Sequence, residues 1–412
     1  MDHGIVPLIF FACFFLLGIS GIEHYFRRAA LPPVCWIMIA GILYGFLLQR
    51  TGADLPKMNL EPEIVLFVFL PVLIFDSARK LRLKELRAVR AEVSAFATIG
   101  VVASMFLIGL PITKLAKIPL IDALLFGAIL SATDPIAVTA IFSKFDIPEK
   151  LRTLVEGESL FNDATTVVLF TLVSMSVLEG TAFSVQSGIV EFVVSLLGAT
   201  VLGVALGAAG YYLGRLWHEL HDRFIGALLP LITVYLTFGI AEHALHVSGV
   251  IAVMAATMTW GVVHGRNHTR SASDVSADIF FDSFWEFVGH LANSVLFFML
   301  GAEIGMHDYS DHLTRLPIYV LVLVAARSIV VYAGSGVMGI AGKRMPLGWQ
   351  HVLNIAGLKG ALSIALILLI PHSYPHRSDF LCMAFVMIVF TLIVNSLGMR
   401  VLLKKVKLGS DD

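Results

Sequence analysis

Long apolar stretches of about 20 residues recur along the whole chain, separated by short polar segments. A stretch of this length crosses a bilayer core of about 30 Å as a helix. Backbone groups in hydrocarbon must be satisfied within the span, so the pattern predicts α-helices. We predict thirteen spans, at about residues 4–25, 30–48, 61–79, 91–112, 119–142, 151–179, 187–215, 225–243, 247–264, 284–305, 315–341, 350–371 and 378–402.

The composition agrees with a protein that lies almost wholly in the bilayer. The chain has 412 residues, of which 58% are hydrophobic and 14% are charged, against about 25% charged in soluble domains. Thirteen spans and their short loops leave no room for a soluble domain. We therefore expect an all-α polytopic membrane protein without a nucleic acid partner, a soluble partner or a cofactor.

The basic residues predict how the chain is oriented. Arg27 and Arg28 follow the first apolar run, which favours a first helix that is retained with its N-terminus outside. Most of the 29 Lys and Arg residues then lie in cytoplasmic segments. An odd number of spans places the C-terminus in the cytoplasm as well.

Two cytoplasmic segments between spans need a separate interpretation. The basic run at residues 79–90 is best explained by the excess of Lys and Arg that keeps a loop on the cytoplasmic side. It could also bind acidic lipid headgroups. Residues 271–287 mix aspartates with Ile and Phe residues. We predict that this segment is an amphipathic connector that lies along the membrane interface.

Two short polar islands interrupt the apolar pattern, Ser131–Pro135 and Glu156–Asp163. A carboxylate within hydrocarbon costs at least about 2.5 kcal/mol, which points to a functional site. Pro135 has no amide hydrogen for the carbonyl of Ser131 and disfavours helix at Asp134. Span five is therefore predicted to unwind near Thr133 and Asp134, where free carbonyls can bind a small cation. The alternative is a simple proline kink.

Span six brings the polar side chains of the second island onto neighbouring faces. Ser159 and Asp163 are four residues apart and share one face, and Glu158 and Asn162 share the next. Burial disfavours the charged form of a carboxylate. Asp163 could therefore hold either a proton or a cation, which is the competition that antiport requires. The alternative is a structural polar network.

Three further charged residues lie within or at the ends of spans. Arg327 in span eleven needs a carboxylate partner, and Glu158 is the preferred one. Lys359 lies at the break of span twelve, where it could offset a negative helix end or pair with Asp134. Asp76 ends span three; it could feed ions into the site or be a solvated helix end beside Arg79.

The chain contains a weak inverted repeat. Residues 91–179 and 315–404 each hold three spans, and the two triplets begin on opposite sides of the membrane. The middle span of each triplet is polar and interrupted, at Pro135 in one and at Gly357 and Gly360 in the other. Interrupted spans in corresponding positions are typical of a transporter site.

Three motifs, Ala132–Pro135, Gly157–Asp163 and Gly357–Gly360, resemble the cation:proton antiporter family. The chain is similar to prokaryotic sodium/proton antiporters with an Asn-Asp pair. The resemblance implies a homodimer, alternating access, and spans five and twelve that cross as discontinuous helices. It also implies a core domain (91–180 and 311–412), an interface domain (1–90 and 224–310) and a linker span (181–223).

The resemblance also implies roles for individual residues. Na⁺ or Li⁺ would be held by the side chains of Asp163 and Ser159 and by the Thr133 carbonyl. Asp134 and Asp76 would lie near the ion path, and Glu158 and Arg327 would form a buried ion pair. Asn162, Lys359 and Pro135 would support the helix breaks. Lys359 replaces the usual Arg, and Asp76 replaces a Glu, which puts the role of Asp76 in doubt. Asn162, which cannot titrate, predicts electroneutral exchange of one cation for one proton.

The predicted function is sodium (or lithium)/proton antiport across the cell (inner) membrane. The same machinery could instead move potassium, because pocket size cannot be read from a sequence. An intramembrane aspartyl protease with Asp134 and Asp163 as its dyad fits poorly, since Asn162 and Arg327 have no place in it. A gated channel is the third class, and titratable carboxylates within an inverted repeat favour a carrier over it.

Overall fold

The computed structural model describes residues 5–26, 29–51, 61–178, 185–218, 223–267, 272–307, 316–371 and 373–406, and within these ranges it contains helices and no strand. The helices are α1 (Ile5–Phe26), α2 (Pro33–Thr51), α3 (62–80), α4 (Leu83–Ala88), α5 (Arg90–Ala116), α6 (Leu120–Ile129), α7 (Ile136–Phe142), α8 (Glu149–Leu178), α9 (Val185–His218), α10 (223–244), α11 (Gly249–Asn267), α12 (Ala272–Gly305), α13 (Leu316–Ile340), α14 (Leu347–Ile355), α15 (Ala361–Leu368) and α16 (Arg377–Lys405).

Every predicted span corresponds to a helix or to a pair of half-helices in the described residues. Seven helical segments are long and apolar enough to cross a membrane by themselves, and four shorter apolar helices accompany them. The predicted all-α polytopic fold is therefore confirmed. The predicted ends at residues 4, 179 and 315 lie outside the described residues.

Spans five and twelve are each split in two, as Pro135 and the glycines predicted. Residues 130–135 separate α6 from α7, and residues 356–360 separate α14 from α15. The two breaks meet, because the Asp134 amide donates to the Leu358 carbonyl at 2.9 Å. A Cβ at Gly360 would lie 2.3 Å from the Cβ of Asp134, so only glycine permits this approach.

The predicted interfacial connector at residues 271–287 is wrong. From Ala272 onwards the chain forms the first part of α12, a continuous helix that ends at Gly305. Trp285 is fully buried beside Phe75 of α3, and Asp282 accepts a hydrogen bond from Arg79 at 2.9 Å. These contacts hold this part of the segment against α3 as an extension of span ten, and Asp282 is paired with Arg79.

Two glycine motifs bring α2 and α12 into backbone contact. Gly41 and Gly45 on α2 face Gly301 and Gly305 on α12, each pair spaced as GxxxG. A Cβ at Gly45 would lie 2.0 Å from the carbonyl oxygen of Ala302. Small residues at this spacing allow close helix packing in membranes. The motifs are visible in the sequence and were not used in predicting the fold.

A similar seam joins α9 to α11, where Gly203 and Gly207 lie against the backbone of Ala252 and Ala256. The opposite face of α9 is exposed and apolar, with Val201 at 69% exposure. This face suits lipid contact because lipid tails are as apolar as the side chain.

We expect Gly45→Ala to destabilise the protein because the new methyl group would overlap the Ala302 carbonyl. The control is Gly336→Ala on α13, where a Cβ meets nothing within 4 Å and Ala is the better helix former by up to about 1 kcal/mol. Thermal unfolding in detergent should show a lower Tm for the first variant and an equal or higher Tm for the second. Equal behaviour of the two variants would contradict the close α2–α12 packing.

Candidate functional site

The unwound segment of span five places a row of carbonyl oxygens inside the protein, and other helices satisfy them. The Ser363 hydroxyl of α15 donates to the Ile129 carbonyl at 2.9 Å. The Ser159 hydroxyl of α8 donates to the Thr133 carbonyl. Because buried carbonyls without partners are costly, these donors make the break stable at this depth.

Asn162 holds the same segment through its side-chain amide. Its Nδ2 donates to the Ser131 carbonyl and to the Thr133 hydroxyl, both at 3.2 Å. Its Oδ1 accepts from the Thr166 hydroxyl at 3.1 Å. Asn162 is 2% exposed, so both ends of the amide are fixed by protein groups. This geometry gives Asn162 a structural role at the break.

Lys359 offsets a negative helix end, which is the first of the two roles considered from the sequence. Its ammonium group donates to the Ala132 carbonyl at 2.9 Å and approaches the Ser131 carbonyl at 3.5 Å. These carbonyls follow the C-terminus of α6, where the helix dipole is negative. The Lys359 backbone amide donates to the Thr391 hydroxyl of α16 at 3.0 Å.

Arg327 performs the equivalent task for the other broken span. It pairs with Glu158 at 2.8 Å and donates to the Leu353 carbonyl near the C-terminus of α14, also at 2.8 Å. A Cβ at Gly357 would lie 2.7 Å from Nε of Arg327, so this glycine lets the side chain pass. The Glu158–Arg327 pair is the one predicted from the sequence; the contact with Leu353 was missed.

Asp163 lies in a cavity between the crossing half-helices and α3. The cavity has a volume of about 50 Å³, enough for a small cation and a few water molecules. Ser77, Thr133, Asp134 and Asp163 supply its polar side chains. The remaining wall is mainly apolar and includes Val65, Leu70, Leu73, Ile74, Leu160, Leu296 and Leu362. Oδ1 of Asp163 is buried and has no hydrogen-bond partner among the described residues.

Asp163 has both negatively and positively charged neighbours. Asp134 and Glu158 are its negative neighbours, and Lys359 is its positive neighbour. Asp134 and Asp163 are the charged residues in the described lining of the cavity. A carboxylate that lines a buried cavity can accept either a proton or a cation.

Asp76 does not line this cavity. Arg79 donates to its Oδ1 at 2.8 Å and Lys80 donates to its Oδ2 at 2.6 Å, while its neighbour Ser77 does face the cavity. The structure therefore places Asp76 in a cluster of charges at the end of α3. Of the two roles considered for it, the contacts favour the helix end beside Arg79.

Two contacts on the far side of the core were not predicted. The Tyr374 hydroxyl donates to Asp122 of α6 at 2.7 Å, and Arg377 donates to the Ile370 carbonyl at 2.9 Å. Burial, and then the hydrogen bond and charge of Asp122, raise the pKa of Tyr374, which keeps it a donor. Asp122 is a carboxylate within an apolar run, and that signal could have identified it.

The family model for the sodium/hydrogen exchanger, transmembrane, matches residues 11–405. The chain belongs to this family. Its relatives include the Na⁺/H⁺ antiporter ApNhaP of Aphanothece halophytica, 33% identical over 398 residues that cover 95% of this chain and 73% of the relative. Another is the Na⁺/H⁺ antiporter NhaG of Bacillus atrophaeus, 32% identical over 98% of this chain and 75% of the relative.

The exchanger fold also agrees with a solved structure. The sodium proton antiporter MjNhaP1 from Methanocaldococcus jannaschii matches with a TM-score of 0.78 over 98% of each chain, at 19% identity. At this identity the match supports the fold. The predicted family and the predicted antiporter fold are both confirmed.

For this exchanger-family chain we expect Arg327→Met to lower stability strongly. Removing one partner of a buried ion pair typically costs about 3–5 kcal/mol because the other charge stays buried. The double variant Glu158→Gln with Arg327→Met removes both charges and should regain part of the loss. Thermal unfolding of the three proteins in one detergent measures the coupling; purely additive losses would contradict a direct pair.

Proposed function

We propose that this chain is a sodium (or lithium)/proton antiporter that exchanges one cation for one proton by alternating access. The observation that carries the proposal concerns Asp163, which lines a cavity where two discontinuous helices cross. Its buried Oδ1 has no hydrogen-bond partner among the described residues. Relatives named Na⁺/H⁺ antiporters match along most of the chain. In this proposal the cation is bound by Asp163, Ser159 and the Thr133 carbonyl, with Asp134 nearby.

A count of the buried charges explains why exchange would be obligatory. Glu158 and Arg327 cancel one another, and Lys359 cancels one of the two carboxylates Asp134 and Asp163. One negative charge remains, and a cation or a proton can neutralise it. Since a net charge within hydrocarbon costs at least about 2.5 kcal/mol, the core would cross between its two states only when one of the two is bound.

Movement of the core would follow the domain division that the resemblance implies. The proposed core comprises 91–180 and 311–412, the interface domain comprises 1–90 and 224–310, and 181–223 forms the linker span. The packing supports this division: α2 contacts α12 and α3 contacts α11, whereas α5 contacts α6, α8 and α13. The glycine seams described above would keep the interface domain rigid while the core moves.

Asn162 supports electroneutral exchange. Its amide is engaged at both ends by Ser131, Thr133 and Thr166, and an amide does not titrate. In this proposal Asp163 is then the group that exchanges a proton for a cation.

Several further features are proposed from the resemblance and the charge distribution. The exchanger would be a homodimer in the cell inner membrane, with its N-terminus outside and its C-terminus cytoplasmic. It would act as a transporter and not as an enzyme, and it would need no cofactor beyond the transported ions. The feeding of ions by Asp76 stays a prediction, and its two basic partners argue against a free carboxylate at that position.

Proton movement in proteoliposomes tests the proposal. From an acid-inside gradient reported by a pH-sensitive dye, added Na⁺ or Li⁺ should collapse the gradient with wild-type protein. Asp163→Asn should show no collapse, because an amide cannot release a proton to the cation. Asp146→Asn is the matched control, since Asp146 is exposed and outside the cavity lining; it should retain full activity.

The other outcomes of this assay separate the alternatives. If only potassium collapses the gradient, the mechanism stands and the substrate is potassium. Flux that does not saturate and needs no counter-ion would indicate a gated channel. If no cation collapses the gradient with folded protein at any pH between about 5 and about 9, a range that includes the usual titration range of His, the antiport proposal is wrong.

The voltage dependence of the rate tests the predicted stoichiometry. With a membrane potential set by valinomycin and a potassium gradient, the initial rate of Na⁺/H⁺ exchange should stay unchanged within error. One elementary charge moved across 100 mV corresponds to about 2.3 kcal/mol, so electrogenic exchange would respond clearly. A consistent change of rate with potential would exclude one-for-one exchange.

A further inference from the structure

Helix α4 and the first residue of α5 present a group of cations at the boundary between spans three and four. Of the six basic residues at positions 79–90, Arg79 and Lys80 are paired with Asp76. Arg82 lies 3.6 Å from Glu149. The other three, Lys84, Arg87 and Arg90, are exposed and have no ion pair among the described residues. The folded chain thus neutralises half of the basic run and leaves the other half open.

A neighbouring side of α4 is attached to the helix that carries Asp163. Leu83 and Leu86 are partly buried, and a Cβ at Gly157 of α8 would lie 3.3 Å from Leu86 Cδ1. Gly157 directly precedes Glu158 and Ser159. A ligand bound to the exposed side of α4 is therefore connected, through the contact of Leu86 with Gly157, to the part of α8 that carries the site residues.

We propose that Lys84, Arg87 and Arg90 bind the headgroup of an acidic phospholipid. A stop signal for membrane insertion needs charge but no particular arrangement in the folded protein. Here the three unpaired cations are exposed and follow one another at intervals of three residues, next to the ends of two spans, where headgroups lie. Glu85 is the acidic residue within this stretch and is partly buried, so the exposed surface carries a positive charge.

A bound headgroup would stabilise the inner end of the core. It would hold α4 in place through its charges, and Leu86 would transmit this support to Gly157. Each basic residue near an anionic surface strengthens binding about fivefold, so three residues change the affinity on the order of 100-fold. The effect should weaken with salt, because exposed charges are screened within about 10 Å at 0.1 M.

The test compares three forms of the full chain in detergent at low salt. These are the wild type, the variant Lys84→Gln/Arg87→Gln/Arg90→Gln and the control Lys343→Gln/Arg344→Gln/Lys404→Gln. The control also removes three exposed cations from the predicted cytoplasmic side. Phosphatidylglycerol should raise the Tm of the wild type and the control at far lower concentration than phosphatidylcholine does. The α4 variant should need on the order of 100-fold more phosphatidylglycerol.

Other results would overturn the proposal. These are an equal response of the α4 variant and the wild type, an equal loss in the control, or no preference for phosphatidylglycerol in the wild type. Stabilisation by glycerol phosphate alone would show that a soluble phosphate, rather than a lipid, is the ligand. The variant Lys84→Arg/Arg87→Lys/Arg90→Lys keeps the charge and should respond as the wild type does. Because the readout is lipid-dependent stability, it does not depend on transport.

Discussion

A net charge is costly inside a bilayer, and the whole site is arranged around that cost. Near the helix crossing, Glu158 and Arg327 form an ion pair. The other charged side chains there are one cation, Lys359, and two carboxylates, Asp134 and Asp163, so the charge count leaves one carboxylate in excess. Asp163 lines the cavity, and its Oδ1 accepts no hydrogen bond from the described residues. In the proposed mechanism, neutralisation of this group by either ion, and never by both, would couple the movement of one ion to that of the other.

The same constraint explains why the two basic residues lie where they do. Each broken span leaves the negative end of a half-helix inside the membrane. Lys359 contacts the carbonyl groups that follow α6, and Arg327 contacts a carbonyl of α14. Each cation comes from outside the half-helix that it serves: Lys359 from the break of span twelve and Arg327 from α13. Replacing either cation by a neutral residue would expose a helix end and also change the charge balance at Asp163.

Some of this arrangement could be predicted because a few residues permit only one or two local structures or partners. Pro135 cannot continue a helix, so the break in span five follows from one residue. A buried arginine needs a carboxylate, and Glu158 was the natural partner for Arg327. The contact between Arg327 and the Leu353 carbonyl depends on how the spans cross, which local pattern does not specify. The same holds for Asp76. Its basic partners Arg79 and Lys80 are close to it in the sequence, but its position outside the cavity lining depends on the tertiary structure.

The wrong prediction for residues 271–287 and the unused glycine motifs have a similar physical origin. Residues 271–287 were interpreted as a surface connector because aspartates alternate with aromatic residues. The helix instead pairs Asp282 with Arg79 and buries Trp285, two contacts that depend on tertiary packing. The GxxxG motifs of α2 and α12 were readable from the sequence, yet their partners were not.

The most direct test of the central claim is proton release on cation binding by purified protein in weakly buffered detergent solution. At a pH where Asp163 holds its proton, saturating Na⁺ should release close to one proton per protomer, as a pH indicator would report. Asp163→Asn should release none. Binding of Na⁺ without proton release by the wild type would contradict competition at Asp163, and with it the account of coupling given above.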